Sequence, residues 1–72
     1  MNFAKDLANV QSLAAGQACT VFWAEGGGGE VTREGDVLVL REVPQFGGSY
    51  MSEHTFALGE AEELVELAYT WT

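Results

Sequence analysis

Apolar residues recur with two different periods along this 72-residue chain, and the periods divide it into six elements. Behind Asn2, a good N-cap, Phe3, Leu7, Val10 and Ala14 fall on one face at helical spacing. Gly16 suits the left-handed position that closes a helix, so a first helix is predicted over residues 3–15. Residues 20–24, Thr-Val-Phe-Trp-Ala, are short, β-branched and aromatic and read as a strand. Four glycines between Glu25 and Glu30 read as a mobile hairpin loop. A second strand starts over residues 31–33, and Glu34, Gly35 and Asp36 turn the chain. Residues 37–43 form a third strand, which Pro44 and the Gly47-Gly48 pair end. Over residues 49–58 the period is two, with Tyr50, His54, Phe56 and Leu58 on one side and Met51, Glu53 and Thr55 on the other. Gly59 breaks this fourth strand. The tail, residues 60–71, is a helix that buries Ala61, Leu64, Val65, Ala68 and Trp71 and turns Glu62, Glu63 and Glu66 to water.

The order α-β-β-β-β-α with short connections predicts an α+β domain over residues 1–72. Its core is a four-stranded antiparallel meander flanked by an N-terminal and a C-terminal helix. In the third strand Val37 and Val39 point one way and Leu38 and Leu40 the other. Helices on one side alone would leave one of these sets uncovered, together with Trp23 or Tyr50, and such a patch marks an interface. A homodimer is one use for it.

Charge narrows the class of partner. Eleven acids against three bases give a formal charge of −8. Nucleic-acid binding needs Lys and Arg to displace counterions, so direct DNA or RNA binding is not expected, whereas a basic nucleic-acid-binding protein is an attractive partner. Cys19 is the only cysteine, which excludes an intrachain disulfide and fits a reducing cytoplasm. The first sixteen residues hold Lys5 and Asp6 and do not read as a secretory leader, and no run is apolar enough to span a membrane.

Candidate chemistry is sparse, and neither an enzyme nor a cofactor is expected. A nucleophilic pair would need Cys19 beside His54, the one histidine. A zinc site takes three or four such ligands. The glycine run lacks the Lys-Ser or Lys-Thr that completes a phosphate loop. Glu25, Glu30, Glu34 and Asp36 do not follow the alternation of a twelve-residue calcium loop.

The acids form two groups, which are the candidate partner-binding residues. Glu25, Glu30, Glu34 and Asp36, with Glu42 near them, belong to the hairpin ends. Glu60, Glu62, Glu63 and Glu66 crowd the start of the last helix. Acids there are favoured by the helix dipole, and a charged face keeps a small domain soluble. Yet Glu62 and Glu66 repel each other at i,i+4 and no base follows in the last turn. Aromatic rings beside such carboxylates suit an arginine-rich site.

In its small size, its 25–36 and 60–66 acidic clusters, its unpaired cysteine and its want of a catalytic set, the chain resembles the small acidic anti-CRISPR proteins of phages. Within that group it is most similar to inhibitors of type I systems, type I-C included. The resemblance implies a protein of the host bacterial cytoplasm that binds a subunit of the crRNA-guided surveillance complex, Cascade, as a DNA mimic; a monomer is expected, with a homodimer the alternative. The competing expectation is a phage accessory or homo-oligomeric module that uses an apolar sheet face.

Overall fold

The computed structural model describes residues 2–24, 27–44 and 48–71, without the side chains of residues 22–24 and 27. Glu25, the tip of the glycine hairpin, Gly47 and the side chain of Trp23 lie outside that set. The first helix, α1, is Phe3–Gln11, and the Asn2 side chain accepts from the Lys5 backbone N–H at 3.0 Å, satisfying one of the donors a helix start leaves open. It ends four residues earlier than its apolar spacing predicts. Leu13, 8% exposed, takes the inward place expected for Ala14, which is exposed. The turn that follows holds itself together and grips the sheet. The Ala14 N–H donates to Gln17 Oε1, the Leu13 carbonyl accepts from the Arg33 guanidinium, and the Gly16 N–H donates to the Arg33 carbonyl. Gly16 does adopt a left-handed φ of 85°, but in this turn, not at the helix end.

Four strands follow: β1 (Ala18–Ala24), β2 (Gly27–Glu34), β3 (Val37–Val43) and β4 (Ser52–Ala57). They pair antiparallel in the order β1-β2-β3-β4, the expected meander. The glycine run is where expectation and structure differ most. β2 begins at Gly27, not Val31, and Gly28 and Gly29 are laddered opposite Val43 and Glu42. A Cβ on Gly29 would come within 2.8 Å of Leu40 Cδ1 and 3.5 Å of both Ala68 and Trp71. The missing side chain therefore serves close packing of a helix on the strand. β4 is shorter than predicted. His54 and Phe56 do oppose Glu53 and Thr55 across it, but Tyr50 precedes the strand and Leu58 belongs to a 3-10 turn, Leu58–Glu60.

That turn leads into α2, Ala61–Tyr69. Both helices pack on one face of the sheet. Val21, Val31, Leu38 and Leu40 rise from the strands to meet Val10 and Leu13 from the α1 side and Ala61, Leu64, Val65 and Ala68 from α2. Periodicities of two and 3.6 thus meet in one apolar layer, as the sequence pattern requires. The helices are tied to each other by an edge-on contact of the Phe3 and Tyr69 rings, centroids 5.4 Å apart, and by the Tyr69 hydroxyl, which donates to Asp6. No helix among the described residues is long and apolar enough to cross a membrane.

Candidate interaction surfaces

Strand alternation assigns every sheet side chain to the helix face or to the open face. Register puts Thr20, Glu30, Thr32, Glu34, Val37, Val39, Arg41, Glu53 and Thr55 on the open side. Of the two apolar sets in β3, Leu38 and Leu40 therefore enter the core and Val37 and Val39 face away. Val39 is nonetheless only 6% exposed, between Thr32 and Thr55 of the flanking strands, while Val37 is 36% exposed. At the rim, Tyr50 is 51% and Met51 64% exposed.

Arg41 organises this face. Its Nε lies 2.8 Å from Glu53 Oε2 and an Nη 3.3 Å from Glu34 Oε2, the two carboxylates coming from opposite sides. Its guanidinium carbon is 5.6 Å from the centroid of the Tyr50 ring, and the Tyr50 hydroxyl donates to Glu30 Oε1 at 2.9 Å. That hydrogen bond to a carboxylate, with its negative charge close by, pushes the Tyr50 phenol above its ordinary range. Sequence reading named Glu30 and Glu34, with Arg33 and Arg41 as the bases near them, but did not bring Tyr50 and Glu53 into the cluster. The signal was cross-strand register, which periodicity alone does not supply.

The remaining predicted residues stand elsewhere. Asp36 is exposed in the β2–β3 turn, and Glu42 is on the helix face, where it accepts from the Ser52 hydroxyl. Glu60 folds back to accept from the Ala57 N–H at 2.8 Å, so it caps the last helical segment. Glu62, Glu63 and Glu66 are exposed on α2. The sheet separates them from Glu30 and Glu34, so the two acidic groups do not form one surface.

The bases are distributed unequally between these groups. Arg41 is bound to Glu34 and Glu53, and Arg33 is turned to the carbonyls of Leu13 and Gly35. Among the described residues the Arg41 contacts are the only ion pairs, which leaves the α2 carboxylates without a cation of their own.

Cys19 and His54 are not brought together. Cys19 pairs with Val31, Val31 with Leu40 and Leu40 with His54, so they occupy the two edge strands of one row. Three inter-strand spacings separate their backbones by about 14 Å. Burial, reinforced by the charge of Asp6, pushes the Cys19 thiol up. The His54 ring lies 5.9 Å from that of Trp71, tilted by 34°. Among the described residues no three His, Cys, Asp or Glu side chains are grouped to hold a metal ion.

No protein-family model, no curated protein and no solved structure matches this chain.

Proposed function

We propose that this domain is an acidic protein-binding module whose α2 carboxylates occupy a cationic groove built for nucleic-acid phosphates. The observation that carries the reading is the exposed trio Glu62, Glu63 and Glu66, unpaired with any base among the described residues. At 1.5 Å of rise per residue the trio spans ~6 Å of helix axis, a mean spacing of ~3 Å between charges. Phosphates lie ~3.4 Å apart along each strand of duplex DNA, so a groove that neutralises one strand's phosphates meets a similar charge spacing. A short amphipathic helix backed by Leu64, Val65 and Ala68 in the core presents these charges without unfolding.

In concrete form this is an anti-CRISPR protein acting in the host bacterial cytoplasm: it binds a Cascade subunit and keeps target DNA out. A competition measurement tests it, with labelled target duplex displaced from a purified type I surveillance complex. Joint reversal of Glu62, Glu63 and Glu66 to Lys abolishes displacement, while their joint replacement by Gln weakens it. Unchanged competition by a folded triple-Lys variant contradicts the reading.

The exposure of Val37, Tyr50 and Met51 favours a second one, a homo-oligomeric or accessory module that pairs through the sheet. Self-pairing brings two bodies of charge −8 together, which weighs against it.

A further inference from the structure

The two helices cover one face of the sheet, and no helix or strand among the described residues covers the other. The molecule measures 30 × 24 × 16 Å. Layers of secondary structure pack roughly 10 Å apart, so the short dimension is the layer stack and the open face lies across the two long ones. A face of that size approaches the ~800 Å² that each side of a standard protein interface buries.

Three of the four strongly exposed large apolar side chains among the described residues, Val37, Tyr50 and Met51, lie on this face or at its rim. Tyr50 is also held in place, its hydroxyl on Glu30 and one ring face over Arg41, with half of its surface still open. Around it the charges do not cancel: Glu30, Glu34 and Glu53 face a single guanidinium. Arg41 and Tyr50 together use one oxygen of each carboxylate, and the second oxygens have no partner among the described residues.

We infer that the open sheet face is a second docking surface, for a basic protein surface whose arginine stacks on the Tyr50 ring beside Glu30 and Glu53. Charge complementarity selects a cationic occupant and opposes a second copy of this chain, which would bring the same surplus of carboxylate. The flat ring next to fixed carboxylate oxygens selects guanidinium over ammonium, because guanidinium both stacks and forms paired hydrogen bonds in its plane. Met51, next to Tyr50 in the chain, and Val37, four residues along β3 from Arg41, add exposed apolar area to the same surface. This surface is on the opposite side of the sheet from α2, and the inference stands independently of the α2 reading.

Titration of the ¹⁵N-labelled full chain with hexa-arginine and, separately, hexa-lysine tests it by amide shift mapping. Hexa-arginine is expected to move the amides of Thr32, Val39, Tyr50 and Thr55 and to bind more tightly than hexa-lysine. Tyr50→Leu should cut the hexa-arginine affinity by roughly two- to fivefold, the scale of an exposed cation–π contact, and erase the preference over hexa-lysine. Tyr50→Phe, which keeps the ring, should retain most of that preference. Shifts confined to residues 60–67 overturn the sheet-face inference while leaving the α2 reading intact. Shifts on the sheet face with none on α2 support it and count against the α2 reading. Equal response to both peptides, unaffected by Tyr50→Leu, also overturns it.

Discussion

The Leu40 side chain lies across Gly29 of the neighbouring strand, so close that a Cβ on Gly29 would sit 2.8 Å from Leu40 Cδ1. Leu40 is fully buried and has little room to yield, with Ala68 and Trp71 closing the other side. Gly29→Val therefore costs about 1–3 kcal/mol, the usual range for overpacking a core. Gly59, with nothing within 4 Å of its missing Cβ and no left-handed φ, is the control. Gly59→Ala is expected to be neutral or to stabilise by up to about 1 kcal/mol by restricting the unfolded chain. Urea denaturation of both variants checks the pair.

Alkylation kinetics separate a structural thiol from a catalytic one. Burial and the nearby charge of Asp6 hold the Cys19 thiol above its ordinary pKa, so less thiolate is present at pH 8 than in an unfolded peptide. Iodoacetamide should modify Cys19 several-fold more slowly in the folded chain than in urea. His54→Ala should leave that rate unchanged, since two strands separate the residues. Slowing on loss of His54 would reveal a coupling that the register forbids.

Alkaline pH should loosen the contact between the helices. Burial first, then the hydrogen bond to Asp6, pushes the Tyr69 phenol up to about 12 from its ordinary value of 10.0. The folded state thus holds this proton more tightly than the unfolded state. Its contribution to stability is complete below pH 10 and is lost as pH rises from there through about 12. Denaturation midpoints measured between pH 9 and 12 should fall more steeply for the native chain than for Tyr69→Phe. A smaller slope persists in the variant because Tyr50 is shifted in the same direction.

The α2 carboxylates contribute little to folding if their role is contact with a partner. Glu62 and Glu63 gain from the helix dipole, roughly 0.3–1 kcal/mol each, while Glu62 and Glu66 repel at i,i+4 by a few tenths. Joint replacement of Glu62, Glu63 and Glu66 by Gln should shift stability by less than about 1.5 kcal/mol. A thermal melt of the triple variant measures this, and a collapse of the fold would make the trio structural.

The element order and the packed faces of both helices were readable because burial imposes periods of 3.6 and two on the residues themselves. Val10, Leu64, Val65 and Ala68 fall where that logic puts them. Positions whose reason is a neighbour distant in sequence were not readable. Gly27 to Gly29 look like a loop by composition, and only the approach of Leu40, Ala68 and Trp71 explains why the strand lacks a side chain at Gly29. Ala14 has the right spacing for the core, yet the hydrogen bonds of Arg33 draw the chain out of the helix first and bring Leu13 in. Likewise Glu30 and Glu62 both read as surface acids, and nothing local to either places the sheet between them. Glu30, Arg41 and Glu53 converge through the register of three strands, and Tyr50 joins them from the segment before β4, which a one-dimensional pattern does not contain.

Ionic strength offers the most direct measurement of whether α2 stands in for a polyanion. The affinity of the protein for a purified type I surveillance complex, followed from about 50 to 200 mM salt, should fall steeply, as phosphate-mimicking contacts release and recapture counterions. The triple Gln variant of Glu62, Glu63 and Glu66 should bind more weakly and with a much shallower slope. Tight binding that is flat across that salt range, and equal in the native chain and the variant, would contradict the proposal.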